Sequence, residues 1–422
     1  MTASRLGRDY HLLWSAAVSS RFGDALRTPA LALLAATLTR DPRVIAAVTV
    51  AGQLPPLLFG LLGGVYADRW DRRRTMALVD GVRAAVVGGL AVAVALDRAG
   101  VAALLLAAFL LATLGTLFDA ASFALLPALV PPAALPRANG RLQAGAAVAG
   151  GFLGAPAAGL LFTAAPALPF TIDAVTFAVA ALLVLALAPP RPLGDGKRAP
   201  RGSVRAEIGE GMRWLHGDRT LWRFTLLTAA SNLAISGLLA VLVLYALDVL
   251  RVPPAGYGLF AAAAIVGGVA GALGSGRLAA RLGTVPALRA VLAAQTVALA
   301  GFALARHPVP GGLALAVFAA GTASWNSLWA SYGQRHVPAG LLGRVGAAQR
   351  MVALLTAPVG AALAGLVGAV YGTAPVAVGA AGTFALVTLA AWWALRPAPP
   401  APPPAAPTSA GTAARPAPRP SR

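Results

Sequence analysis

The feature that most constrains this chain is a series of apolar windows, each about as long as a helix that crosses a bilayer. A hydrocarbon core requires roughly 20 apolar residues per helix, and only 11% of the residues here are charged. The windows cover residues 12–38, 44–66, 75–96, 101–126, 142–164, 168–188, 221–246, 256–279, 284–305, 311–332, 344–369 and 374–395. The first window is too long for a signal-peptide core, so we interpret it as a retained span. The sequence therefore predicts an all-α membrane protein with twelve transmembrane helices.

The basic residues follow the spans instead of forming a nucleic-acid-binding stripe, although the net charge is +20. One set of loops carries most of the arginines. The opposite set carries five: Arg40, Arg43, Arg98, Arg251 and Arg306. This positive-inside bias predicts that both termini and the long central loop are cytoplasmic. Because the Ala, Arg, Gly and Pro usage indicates a bacterial source, we expect a multi-pass protein of a bacterial inner membrane, without a nucleic-acid partner.

Metal ions, organic cofactors and ATP are not expected. Cysteine is absent. The four histidines lie at span ends and in loops: His11, His216, His307 and His336. The single lysine, Lys197, follows Gly196 but lacks the other residues of a phosphate-binding loop. Any transport by this chain is therefore expected to run on a gradient and not on ATP, and we do not expect an enzyme.

One long polar interruption divides the spans six and six. The predicted segments are an N-terminal six-helix bundle (1–188), a cytoplasmic linker (189–219), a C-terminal six-helix bundle (220–396) and a disordered Pro/Ala-rich cytoplasmic tail (397–422). The linker contains an amphipathic piece over residues 204–215. The tail is too poor in bulky apolar residues to order itself.

The two halves are related in sequence after their fourth spans. The matching positions are Pro136 with Pro338, Gly140 and Arg141 with Gly343 and Arg344, and Ala155 and Pro156 with Ala357 and Pro358. Internal repeats of this kind are typical of secondary transporters, whose substrate site lies near the membrane midplane at the repeat interface.

The loop after span two reads "GGVYADRWDRRR", residues 63–74, and resembles the loop signature of the major facilitator superfamily. The residues that carry the resemblance are Gly64, Asp68, Arg69, Arg72 and Arg73. Asp71 stands where that signature usually has glycine. The resemblance implies that the Asp68 carboxylate caps the positive N-terminal end of span eleven, near Arg344. This contact would latch the cytoplasmic side of the bundle in one state. Alternatively, the arginines only set the topology. Asp80, near the start of span three and one turn from Arg83, is expected to be interfacial and available to this loop.

Span five contains "GFLGAPAAG", which resembles the antiporter signature of exporters in the same superfamily. Its residues are Gly151, Gly154, Pro156 and Gly159, with Ala155 in place of the usual glycine. Small residues allow close helix packing, and proline bends a helix. The alternative is plain packing, as we expect at Gly267, Gly271 and Ser275.

Over nearly all of residues 8–395 the chain resembles the branch that contains enterobactin-exporter-like and macrolide-efflux-like proteins. The supporting stretches are "RFGDAL", "DRWDRRR", "VDGVRA", "LVLYALDVL" and "LLGRV". The resemblance implies a major-facilitator fold with two pseudo-symmetric six-helix bundles. It also implies export of a hydrophobic or amphipathic small molecule, such as a drug, natural product or siderophore, by proton antiport. Its partners would be that molecule, protons and the lipid bilayer, and we expect a monomer.

Three charges lie inside span one: Arg21, Asp24 and Arg27. Their spacing places them on one face of the helix, where they would pair in sequence. Each costs roughly 2.5 to 3.5 kcal/mol at mid-bilayer, so they must face the bundle interior or a wet cavity. We expect Asp24 to carry the proton, because a nearby arginine favours its charged form and desolvation its neutral form. The alternative is a static ion pair. Asp119 is the second candidate, whereas Asp173 is expected to be structural.

Cargo contacts are expected from polar and aromatic groups at matching depth. The candidates are Gln53, Asn232, Gln295, Trp325, Asn326 and Trp329. A mostly apolar cavity with few polar groups suits a bulky amphipathic molecule. Two other functions remain open: a proton-coupled importer with the same fold, and a membrane sensor or assembly partner that does not transport.

Overall fold

The computed structural model of the protein describes residues 7–69, 71–131, 134–188, 204–338 and 341–394. These residues form helices and short connections, and none of them belongs to a strand. Most of the predicted linker (residues 189–203) and the whole predicted tail (397–422) lie outside the described residues.

The first half contains six long rods whose bounds agree with the predicted spans to within a few residues. Its helices are α1 (Arg8–Leu38), α2 (Pro42–Arg69), α3 (Arg72–Ala95), α4 (Val101–Leu129), α5 (Leu135–Ala146), α6 (Ala155–Ala164) and α7 (Leu168–Leu185). A π-helical segment, Ala147–Gly154, joins α5 to α6, so these three pieces form span five.

The second half is preceded by a short helix, α8 (Val204–Gly217), in the predicted amphipathic piece of the linker. Its long helices are α9 (Arg219–Leu244), α10 (Pro254–Leu282), α11 (Thr284–Leu304), α12 (Pro308–His336), α13 (Leu342–Tyr371) and α14 (Thr373–Ala394). A π-helical turn, Tyr245–Val249, extends α9.

The same helix pairings occur in both halves. In the first, α1 packs on α7, α3 on α7 and α2 on α4. In the second, the corresponding pairs are α9 with α14, α11 with α14 and α10 with α12. The two largest contacts between the halves are equivalent: α2 with α13 and α10 with α6. The repeat seen in the sequence therefore corresponds to a repeat in packing.

Ten of the described helical spans are long and apolar enough to cross a membrane. The two long helices that are not apolar enough by the same measure are α1 and α12. The first contains the charges Arg21, Asp24 and Arg27, and the second contains a polar stretch around Asn326. The interruptions in hydropathy thus occur on one helix in each half.

Two of the tightest connections depend on glycine. Gly283 joins α10 to α11 with φ 81°, and Gly372 joins α13 to α14 with φ 83°. A side chain at such a φ meets the backbone, so glycine is the residue that makes these one-residue turns without strain.

Each end of the bundle takes its name from one residue in a connection at that end. The Arg40 end contains the connections after α1, α3, α6, α9 and α11. The Asp71 end contains the connections after α2, α4 and α7.

Close contacts between the halves gather at the Arg40 end. A Cβ on Gly365 of α13 would lie 2.6 Å from Ala46 Cβ of α2. Arg40 Nη1 forms a salt bridge with Asp248 Oδ1 of the other half at 3.0 Å. In the same connection, hydrogen bonds from Arg43 lower the pKa of the Asp41 carboxyl, which therefore stays charged at neutral pH.

Asp71 caps α3. Its Oδ1 accepts the backbone N–H of Arg74 at 3.1 Å. We expect Asp71→Ala to lower the free energy of unfolding by about 1 kcal/mol, whereas Asp71→Gly should cost only a few tenths. Thermal unfolding followed by tryptophan fluorescence measures both, with Asp71→Asn as the control that keeps the cap. Equal stability of the alanine and asparagine variants would contradict this role.

Candidate functional site

Arg83 of α3 is the centre of a buried charged cluster between α1, α3 and α7. Its Nη2 donates to Asp24 Oδ1 at 3.0 Å and Oδ2 at 3.2 Å. Its Nη1 lies 3.3 Å from Asp80 Oδ1 and from Ser20 Oγ. The guanidinium carbon lies 4.0 Å from the centre of the Phe177 ring on α7. Arg83 is 4% exposed, so these partners replace water almost completely.

Arg27 forms the second cationic position of the cluster. Its Nη2 donates to Asp24 Oδ1 at 2.5 Å, and its Nη1 donates to Asp173 Oδ2 at 2.8 Å. Asp24 is thereby paired with two arginines, one on its own helix and one on α3. Asp173, expected to have only a structural role, contributes to the same cluster from α7.

Gly23 allows α1 to approach α7 closely enough for these ion pairs. A Cβ at this position would overlap Thr176 Oγ1 and Asp173 Oδ1. On the same helix, Ser19 Oγ donates to the Thr176 carbonyl oxygen at 3.3 Å. The glycine before Asp24 is therefore required by the distance between the two helices.

The cluster contains one more acid than base. Asp24, Asp80 and Asp173 face two guanidinium groups, so the fully ionised cluster has a net charge of −1. Asp80 Oδ2 and Asp173 Oδ1 are buried and have no hydrogen-bond partner among the described residues. An uncompensated buried charge is costly, whereas one added proton would make the cluster neutral. The arrangement is therefore suited to bind and release a proton.

Arg21 and Asp119 form a separate pair beside the cluster. Arg21 Nη2 donates to Asp119 Oδ1 at 2.9 Å, and the two side chains are 50% and 60% exposed. The prediction that Arg21 pairs with Asp24 is wrong, because the long arginine side chain reaches α4 instead. The prediction that Asp24 pairs with Arg27 is confirmed.

The interfacial placement predicted for Asp80, one turn from Arg83, is also wrong. Their side chains are 0% and 5% exposed, and they form the α3 side of the cluster. Asp80 lies eight residues into α3, which at 1.5 Å per residue is about 12 Å along the helix axis. That depth places it well inside the bundle.

The glycine-rich segment of span five packs directly behind the charges of α1. A Cβ on Gly154 would lie 2.7 Å from Ala25 Cβ and 3.0 Å from the Phe22 carbonyl oxygen. On its other side, a Cβ on Gly159 would lie 2.6 Å from the Ala255 carbonyl oxygen of α10. The segment therefore connects the charged helix to the opposite half of the molecule.

The Major Facilitator Superfamily sequence profile matches residues 13–360. The chain belongs to this superfamily. It is a multi-pass membrane protein with ten described helical spans that are long and apolar enough to cross a membrane, and the predicted all-α major-facilitator fold is confirmed.

The curated relatives that this chain matches are mycobacterial. An uncharacterised MFS-type transporter of Mycobacterium tuberculosis is 32% identical over 225 residues, as is one of Mycobacterium bovis. The aligned part covers 50% of this chain and 50% of each relative, so the chain spans about half the length of the curated relatives it matches.

Solved structures with the same fold cover nearly the whole chain. A bacterial homologue of the iron transporter ferroportin in its inward-facing state gives a TM-score of 0.73 at 18% identity, over 93% of this chain and 100% of that one. Its outward-facing state gives 0.56 at 18% identity, over 92% and 99%. The nucleoside transporter NupG gives 0.71 at 16% identity, over 93% and 100%. These likenesses concern the fold alone.

The major-facilitator signature after span two is mostly helical. Residues 63–69 complete α2, and Arg72 already begins α3. The side chains of Gly64, Asp68, Arg69 and Arg72 lie outside the described part of the structure, so the predicted latch stays a prediction. Arg73 donates from Nε to the Val184 carbonyl oxygen at 3.3 Å and from Nη2 to that of Leu185. Arg73 therefore caps the C-terminal end of α7.

Arg344, the expected partner of the latch, pairs with the linker helix. Its Nη1 lies 2.8 Å from Glu210 Oε2 of α8. A Cβ on the adjacent Gly211 would overlap the Arg344 backbone carbonyl. Leu215 of α8 also packs against Val345 and Ala348 of α13. The start of α13 is thus covered by the linker.

Two of the predicted cargo contacts are core residues of the second half. Gln295 is 3% exposed and donates to Thr322 Oγ1 at 3.0 Å, and Trp325 is 6% exposed and packs on Phe224. Both side chains therefore join helices within the second half in this conformation, and their contact with a cargo stays a prediction. Trp329 is half-buried against the same Phe224 ring.

The other candidates keep accessible or unpaired polar groups. Asn326 is exposed, and Asn232 is half-buried on α9. Gln53 Oε1 on α2 is buried and has no partner among the described residues. Helices α2 and α9 pack across the two halves. Gln53 and Asn232 therefore lie on helices that bound the interface.

Sequence reasoning missed the joint role of Asp80 and Arg83, although a signal was present. Asp24 is followed by Arg27 in "DALR", and Asp80 is followed by Arg83 in "DGVR". The same acid-to-arginine spacing in spans one and three places each pair on one helix face. Glu210 carried no comparable signal, since its partner lies 134 residues away.

Proposed function

We propose that this transporter is a secondary active exporter that exchanges a hydrophobic or amphipathic small molecule for protons by alternating access. The observation that carries the proposal is the surplus carboxylate in the buried cluster of Asp24, Asp80 and Asp173 with Arg27 and Arg83. A buried carboxylate without a matching cation is stabilised by a proton more than a carboxylate that is fully paired with an arginine. Binding or loss of a proton would therefore change which arrangement of α1, α3 and α7 is the more stable.

The contacts of span five support a mechanical link between this cluster and the interface. Gly154 touches α1 beside Asp24, whereas Gly159 touches α10 of the other half. A shift of α1 upon protonation would be passed to α10 through this segment. The π-helical turns support the same role, because such turns commonly occur at functional sites.

The conformation supports an inward-open state in the proposed topology. The halves touch at the Arg40 end, which the distribution of arginines predicts to be outside. The greater likeness to the inward-facing than to the outward-facing ferroportin homologue agrees with this orientation. We propose that both termini lie in the cytoplasm of a bacterial cell.

The proposed cargo is bulky and amphipathic. Gln53 and Asn232 would offer the few polar contacts, and Asn326 and Trp329 would contribute from α12. The antiporter-like segment and the resemblance to the enterobactin-exporter-like and macrolide-efflux-like branch favour export over import. These two features support drugs, natural products or siderophores as the proposed cargo.

Transport by inverted membrane vesicles tests the proposal. With an acidic interior, vesicles containing the wild-type protein should accumulate fluorescent amphipathic dyes from a panel of compounds. Asp24→Asn should lose this accumulation, because two acids and two arginines balance without a proton. The matched control is Asp97→Asn, an exposed aspartate between α3 and α4.

The same assay separates the other two functions. A proton-coupled importer would deplete the dye from vesicles with an acidic interior. A sensor or assembly partner would give no transport and no difference between the wild type and Asp24→Asn. Either result would overturn the proposed export.

A further inference from the structure

The five charges of the cluster alternate in sign along a single chain of contacts. From one end to the other the order is Asp80, Arg83, Asp24, Arg27 and Asp173. The consecutive distances are 3.3, 3.0, 2.5 and 2.8 Å. An acid therefore stands at each end, and each terminal acid keeps one buried oxygen without a partner among the described residues.

The chain of contacts runs along the membrane axis. Asp80 is about 12 Å from the start of α3 at the Asp71 end, and Asp173 is about 7.5 Å from the start of α7 at the Arg40 end. Asp24 lies near the middle of α1, and its side chain is 21% exposed, whereas both terminal acids are fully buried. Asp80 is thus the terminal acid on the Asp71 side of the cluster, and Asp173 is the one on the Arg40 side.

The two ends are not equally paired. Arg27 lies 2.8 Å from Asp173, a normal charge-assisted hydrogen bond. Arg83 lies 3.3 Å from Asp80 but 3.0 Å from Asp24, and it shares its Nη1 with Ser20. The weaker pairing at Asp80 is the geometry expected when that carboxyl is neutral and the arginine pairs mainly with Asp24.

The geometry points to a single proton that resides on Asp80 in this conformation and on Asp173 when the transporter faces the other way. In the exchange, Asp173 takes a proton from water at the Arg40 end and Arg27 turns fully to Asp24. The O–H bond of Asp80 breaks, its proton goes to water at the Asp71 end, and the new carboxylate pairs with Arg83. The cluster holds one proton before and after. The cycle closes when Asp173 gives its proton through the Asp24 carboxylate to Asp80, so one proton crosses from the Arg40 end to the Asp71 end per cycle.

The count depends on every charged group that faces Asp80. On α1 these are Arg21, Asp24 and Arg27, on α3 Arg83, on α4 Asp119 and on α7 Asp173. Arg21 and Asp119 neutralise each other, so they leave the count unchanged. This inference deepens the proposed function and rests on it for the transport role of the proton.

Infrared spectroscopy of the purified full-length protein tests the assignment without a cargo. The Arg40 end is first fixed by a short thiol cross-linker between Arg40→Cys and Asp248→Cys, since the chain has no other cysteine. At neutral pH we expect one carbonyl band of a protonated carboxyl group. Asp80→Glu should move this band to the glutamic acid position, whereas Asp173→Glu should leave it in place. Both variants keep the charge count.

A second variant protects the test against a misfolded Asp80→Glu protein. Asp24→Asn leaves two acids and two arginines, so the band should disappear although Asp80 is untouched, and Asp97→Asn should keep it. A band that moves with Asp173→Glu, or no protonated carboxyl at neutral pH, would overturn the inference. An Asp80 band in a protein whose dye transport ignores the pH gradient would refute the proposed function alone.

Discussion

Arg83→Gln is expected to lower the free energy of unfolding by about 3 to 5 kcal/mol, the usual cost of removing one partner from a buried ion pair. The variant leaves three carboxylates with Arg27 as their only buried cation. It also removes the guanidinium group that packs on Phe177. Thermal and denaturant unfolding in detergent, followed by the fluorescence of the eight tryptophans, measures the loss.

Two further variants separate charge from packing. Arg21→Gln breaks the exposed pair with Asp119 and should cost no more than about 1 kcal/mol. Arg83→Gln combined with Asp80→Asn leaves two acids and one arginine, which is again a surplus of one acid. Part of the lost stability should therefore return. If the double variant is as unstable as the sum of the two single variants, the charge count is not what stabilises the cluster.

Gly258→Leu is expected to open the Arg40 end. A Cβ on Gly258 of α10 would overlap the Ala155 carbonyl oxygen and lie 3.0 Å from Gly159 N. Overpacking of this kind costs about 1 to 3 kcal/mol, which changes the ratio of two conformations about 5- to 150-fold. Spin labels at Arg98→Cys and Val309→Cys, both exposed at this end, should report a longer distance.

Gly268→Leu is the matched control, because no atom lies within 4 Å of a Cβ at that position on the same helix. It should leave the distance between the labels unchanged. An unchanged distance in Gly258→Leu as well would show that the contact between α6 and α10 does not govern closure of this end.

The helices were predictable because their signal is local. Each span is a long apolar run, and the observed bounds differ from the predicted ones by a few residues, as at α9, where Arg219–Leu244 and its π-helical extension replace 221–246. The repeat between the halves was visible for the same reason. What local sequence did not indicate was the π-helical geometry before Pro156.

The site was only partly predictable because its contacts join residues far apart in the chain. The spacing of Asp24 and Arg27 indicated their pairing within α1. The partner of Arg21, by contrast, depends on how α4 lies beside α1. Likewise, the sequence shows that Gln295 is polar within a span but does not show whether it faces a cavity or Thr322.

The contact between α8 and the start of α13 determines how the two halves are tethered. Since Glu210 and Leu215 attach α8 to the second half, α8 is expected to move with that half as one body. Any change in separation between the halves would then occur between α7 and α8. A fluorophore on α8 would consequently report the position of the second half relative to the first.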